Sequence, residues 1–151
     1  MICQMKLGEE EQVRRLLAEL SLEDQTFWRK QAELLEEYLQ KYSRIPISQV
    51  VEGKNAIFVA EEGKIVGLCW CTLVDRGIDR QGEIAEFYIG EEHRGRGIGK
   101  ELLETAKQFF TRERAEVMFV WTHHGNEAAI KLYKNVGFKK VTQLVIAYIP
   151  K

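Results

Sequence analysis

The rhythm of apolar positions divides the chain into short blocks of period two and longer blocks of period near 3.6. Residues 2–7 read as an opening strand, and 8–20 as an amphipathic helix with Val13, Leu16, Leu17 and Leu20 on one face. Ser21 or Asp24 is placed to cap a second helix reaching about residue 42, with Phe27, Trp28, Leu34, Leu35, Tyr38 and Leu39 apolar. A connecting loop follows over 43–55. Residues 56–74 form a predicted hairpin turning around Gly63, and 75–82 a polar loop. Ile84, Phe87 and Ile89, with Tyr88, mark a mostly buried strand over 83–89. From Ile98 the apolar positions become Leu102, Leu103, Ala106, Phe109 and Phe110, a helix to about residue 112. A buried-type strand over 117–122 precedes a helix over 126–136, which Gly137 stops, and extended chain over 138–149. This order predicts an α/β fold: a mixed sheet with helices packed on its faces, in a single domain over 1–151.

The junction between the 83–89 strand and the next helix carries the candidate chemistry. Arg94, Gly95, Arg96, Gly97, Ile98 and Gly99 contain no acidic residue, and Lys100 follows. Glycines entering a helix leave several backbone N–H groups unpaired and pointing one way. The helix dipole adds partial positive charge there, and glycine lets an anion come close. The pattern predicts an anion cradle, suited to a pyrophosphate. It is not a Walker A loop, because Arg94 stands where the first glycine belongs and Glu101 where Ser or Thr would ligate magnesium. Nor is it a dinucleotide fingerprint, since Lys100 replaces the third glycine. The plainer alternative is a basic turn that only caps a helix.

Composition narrows the function classes. The chain is 45% hydrophobic and 30% charged with a net charge of −1, so no global field recruits nucleic acid. No apolar run approaches the length of a membrane span, and MICQMKLGEEE lacks a basic region followed by an apolar one. A cytoplasmic protein is expected. Three cysteines, Cys3, Cys69 and Cys71, read as free thiols, because an i, i+2 pair on one strand face is poor disulfide geometry. With only His93, His123 and His124 beside them, no metal site is expected.

A second motif, N126-E-A-A-I-K-L-Y-K-N-V-G-F138, joins R-G-R-G-I-G one strand later. Together they resemble the two signatures of the GNAT acetyltransferase superfamily, R/Q-x-x-G-x-G/A and N-x-x-A-x-x-x-Y-x-x-x-G-F. With the hairpin and the N-terminal helices, the resemblance covers essentially the whole chain. It implies the GNAT acyl-CoA N-acyltransferase fold: a central, mostly antiparallel sheet, flanking helices, and two parallel strands that splay apart. It also implies transfer of an acetyl group from acetyl-CoA, as co-substrate, to an amine. The pantetheine arm would lie along Phe87, Tyr88 and Ile89. The pyrophosphate would sit on the turn of Arg94, Gly95, Arg96, Gly97, Ile98, Gly99 and Lys100. Asn126 matches the pantetheine-side asparagine and equally suits a helix N-cap. Tyr133 matches the general acid, whose phenol protonates the departing thiolate.

An ammonium titrating near ~10 must lose a proton before it attacks, so a base is required. Glu86, in the acidic position of polyamine- and aminoglycoside-type members, is the preferred candidate, and Glu83, in that of histone-type members, the other. Period-two alternation puts them on opposite faces unless a bulge intervenes. His123 and His124 are placed to relay a proton or simply to be exposed. Phe27, Trp28, Tyr38 and Tyr42 suit an acceptor pocket or core packing, and Glu9 to Glu11, Glu33, Glu36 and Glu37 a cationic amine or a solvated face. A small-molecule amine is the expected acceptor, a protein N-terminus or lysine the main alternative, and a non-catalytic acetyl-CoA sensor or a nucleotide-binding module the remaining readings. The stretch after Val136 has no internal glycine turn, which predicts an uncovered strand edge and a homodimer pairing there.

Overall fold

The computed structural model describes residues 1–28, 34–44, 54–75 and 80–141, the side chains of 24–28 excepted. The elements are β1 (Ile2–Gln4), α1 (Glu10–Trp28), α2 (Leu35–Ser43), β2 (Lys54–Glu61), β3 (Ile65–Asp75), β4 (Arg80–Ile89), α3 (Ile98–Arg112), β5 (Val117–Val120) and α4 (Glu127–Asn135). The strands form one sheet in the order β1-β2-β3-β4-β5. Every pair is antiparallel except β4–β5, which is parallel.

Each sheet face has its own core. On one side α3 lays Ile98, Leu102, Leu103, Ala106, Phe109 and Phe110 over Phe58, Cys69, Cys71, Leu73, Ile84 and Ile89, with Tyr133 and Val136 of α4 joining them. On the other, α1 packs Val13, Leu16 and Leu17 against Ile57, Val59, Leu68, Trp70 and Tyr88. Cys69 and Cys71 lie fully buried as free thiols, sulfurs 3.8 Å apart. The neighbouring Cys71 thiol, and then burial, push the Cys69 thiol well above its ordinary range.

Several boundaries differ from the sequence expectation. The first helix does not end near residue 20 but runs on to Trp28, because Ser21 does not cap a new helix. Its hydroxyl instead lies 2.9 Å from the Tyr42 phenol on α2. The next helix starts only at Leu35, where the Glu37 carboxylate accepts the Leu34 N–H at 2.7 Å. β4 begins at Arg80 rather than residue 83, since Arg80, Gln81 and Gly82 pair with Asp75, Val74 and Leu73. β5 ends at Val120, two residues early.

Candidate active site

The parallel pair β4–β5 parts midway. Gln81 to Ile84 pair with Val117 to Val120, and there the ladder stops, although β4 continues to Ile89. Residues 85–89 therefore present one edge of backbone N–H and C=O groups with no described strand opposite. A bulge lies at the point of parting. Trp70 pairs with Glu86 and Cys71 with Ile84, so Ala85 has no residue across from it on β3. The bulge reverses the alternation of β4. Ile84 faces α3, but so do Phe87 and Ile89, while Tyr88 faces α1. Glu86 shares the α1 face with Tyr88, and Glu83, adjacent to Ile84, lies on that face too. The exception to opposite faces, an intervening bulge, is what occurs: the two carboxylates stand on the same side, beside the gap.

The strand then turns into α3 through Gly90, a short turn over Glu91–His93, and Arg94 to Gly97. Gly95 and Gly97 take φ of +74° and +88°, and nothing lies within 4 Å of a Cβ built at either. Left-handed backbone with open space before it is what a close-approaching anion requires. The first α3 amide bonded backwards is that of Glu101, to the Gly97 carbonyl at 3.2 Å. Among the described residues no hydrogen bond takes the amides of 95–100. Gly99 is small for another reason. A Cβ there would stand 2.9 Å from Leu132 Cδ2 of α4 and 3.0 Å from Ile89 Cδ1, so Gly99 lets α4 close on β4.

The cradle's arginines already have carboxylate partners. Arg94 donates from Nε to the Ile89 carbonyl at 2.9 Å and from Nη2 to both oxygens of Glu23, at 2.7 and 2.9 Å. Its guanidinium lies 5.4 Å from the centre of the Tyr88 ring, and Tyr88 donates to Glu23 at 3.1 Å. Burial, then the charges of Glu23 and Glu19, push the Tyr88 phenol far above its ordinary value. Arg96 donates to Glu62 at 2.9 Å. Slight desolvation raises the Glu62 carboxyl, but His93, 2.9 Å away, and Arg96 together hold it below the usual range. His93 also reaches Glu92 through Nε2 at 3.1 Å. Lys100 and Ile98 complete the turn, exposed and buried respectively. Sequence reasoning gave Glu23 and Glu62 no part here, because nothing local links them to the motif.

Across the gap, Tyr133 is 7% exposed. Its ring meets Phe87 edge-on, centroids 6.0 Å apart, and Phe138 at 5.6 Å. Tyr133 thus borders the unpaired part of β4 from the α3 side, and Glu86 from the α1 side. Asn126 Oδ1 accepts the Ala129 N–H at 3.1 Å and caps α4. His123 is half-buried and His124 exposed. Tyr38 is buried on α2. The side chains of Phe27 and Trp28, Glu33, and the stretch from residue 142 onward, part of the one expected to pair in a homodimer, lie outside the described residues. Among the described residues no group of three or more His, Cys, Asp or Glu could hold a metal ion, and no helix is long and apolar enough to cross a membrane.

Known proteins share sequence and fold with this chain. An uncharacterized N-acetyltransferase of Methanocaldococcus jannaschii is 32% identical over 91 residues, 58% of this chain and 40% of that one. N-acetyltransferase 8B of Homo sapiens is 34% identical over 104 residues, 67% of this chain and 46% of that one. The chain spans less than half the length of either relative. An aminoglycoside acetyltransferase from an uncultured soil metagenomic sample shares the fold, with a TM-score of 0.70 at 20% identity over 100% of this chain and 95% of that one. The model of the acetyltransferase (GNAT) family matches residues 15–138. That match takes in the parted strands, the glycine turn and the tyrosine helix, and the chain belongs to the GNAT acetyltransferase family.

Proposed function

We propose that the protein transfers an acetyl group from acetyl-CoA to the primary amine of a small molecule by direct attack. The observation that carries this reading is the parting of β4 from β5 at Ile84 and Val120, with an anion cradle at one end. An extended thioester arm bonds to an open strand edge as a further strand would, and the edge at 85–89 is of that kind. The free amides at 95–100 suit the pyrophosphate, and Asn126 keeps its amide N–H groups beyond the capping bond for the pantetheine side.

Glu86 takes the proton from the ammonium, directly or through a water, so that the neutral amine attacks the thioester carbon. Tyr133 gives its phenolic proton to the departing thiolate. The position of these groups on opposite sides of one gap supports the division of labour, since the amine must enter from one face while the thiol leaves along the other. Thiol release from acetyl-CoA over a panel of polyamines, aminoglycosides, amino acids and peptides tests the reading. Release with small amines but not peptides is the expected result, and release with no amine overturns it.

A further inference from the structure

The α1 face of the gap carries an aromatic wall that the proposed chemistry leaves unused. Register sets Phe119 of β5 beside Glu83 of β4, and residues paired across a ladder share a face. Trp121, just past the last β4–β5 pair, stacks on Phe119 with planes 17° apart and centroids 6.4 Å apart. It is 58% exposed, although side chains of this size are usually well covered. Among the described residues no hydrogen bond or ion pair engages the Glu83 carboxylate, and the residue is half-buried. Glu86 follows on the same face, roughly 10 Å farther along the strand and inside the gap.

A neutral apolar occupant would gain contact with the rings but would desolvate the Glu83 carboxylate without a counter-charge. An anion would be repelled. An ammonium satisfies both, because aromatic faces attract cations and Glu83 supplies the opposite charge. We infer that Phe119, Trp121 and Glu83 hold a second, non-reacting ammonium of the acceptor, and that the preferred acceptor is a diamine whose other amine lies at Glu86. The role of that other amine rests on the proposed acetyl transfer, whereas the cation site itself does not.

Tetramethylammonium has no N–H to lose and cannot be acetylated, so it probes the site without turnover. Calorimetry on the full chain should show saturable binding of tetramethylammonium, with none for tert-butanol as the neutral shape control. Trp121→Leu should weaken that binding roughly two- to fivefold, the size of a cation–π contact at an exposed site, and Trp121→Phe should retain it. Glu83→Gln should weaken it and remove its salt dependence. In the transfer assay, the preference for putrescine over n-butylamine should shrink in Trp121→Leu. No saturable tetramethylammonium binding, or equal binding by wild type, Trp121→Leu and Glu83→Gln, overturns the inference. If tetramethylammonium binds as described while no amine releases thiol, the acetyl-transfer reading fails and the cation site stands.

Discussion

Gly97 offers a way to separate the cradle's backbone geometry from its ligand. At φ +88° an alanine would pay about 1–2 kcal/mol of left-handed strain, whatever the surrounding space. For a chain of this length that lowers Tm by about 2–8 °C. Asparagine tolerates the left-handed region far better, so Gly97→Asn should lose little stability. Yet any side chain at Gly97 enters the open space before the turn, since nothing in the protein lies within 4 Å of a Cβ there. An anion held off the amides loses charge-assisted hydrogen bonds worth about 1.5–3 kcal/mol, a weakening of roughly tenfold to a hundredfold. Thermal melts and calorimetric titration with CoA on both variants should therefore diverge: stability falls mainly in Gly97→Ala, affinity in both. A Gly97→Asn protein that melts normally and binds CoA as wild type does would show that no phosphate approaches this turn.

Three further outcomes follow from the same geometry. Tyr133→Phe keeps the ring packed on Phe87 and Phe138, so turnover should fall by roughly 10²–10⁴ while CoA affinity and Tm barely move; lost affinity with intact turnover would make Tyr133 a packing residue. Glu86→Gln should depress the rate most at low pH, where the amine is mostly protonated, and an intact profile there beside a damaged one in Glu83→Gln would transfer the base role to Glu83. Glu62, Glu92 and Glu113 have carboxyls held below their ordinary range, Glu62 by His93 and Arg96 against slight desolvation, Glu92 chiefly by Lys64 and Glu113 by Lys54. A lowered folded value means that their stabilisation is complete above the unfolded pKa near ~4.3 and drains away as pH falls through the lowered one. The triple Gln variant should accordingly lose less Tm than wild type between about pH 5 and about pH 3, and equal slopes would refute the assignment.

Much of the fold was legible because its signals are local. The change from period two to 3.6 at Ile98, with glycines between, located the glycine turn, and α3 runs over the expected residues. The first helix was cut short because Ser21 looks like a cap when its distant partner Tyr42 is out of view. The bulge was allowed for but not placed, despite a visible sign: the α3-facing positions are even at Gly82 and Ile84 and odd at Phe87 and Ile89. Strict alternation cannot give both sets. The links of Arg94 to Glu23 and Arg96 to Glu62 span 71 and 34 residues, and no spacing rule reaches that far. The stacking of Trp121 on Phe119 follows from period two, but its exposure depends on where β5 stops.

The bulge at Ala85 makes β4 a strand read in two frames. Upstream of it the strand is set by its partner β5; downstream each residue is addressed to the opposite helix layer from the one its count would give. Pairing Ala85 into a regular ladder, with no bulge to absorb it, would leave the composition of both halves untouched and still exchange the addressees. Phe87 would turn away from Tyr133 toward α1, and Tyr88 would carry its phenol away from Glu23 and Arg94 into the layer beneath α3. Deleting Ala85 itself would restore strict alternation with every other side chain on its present face, so a library of single deletions along 80–89 should find that position among the most dispensable.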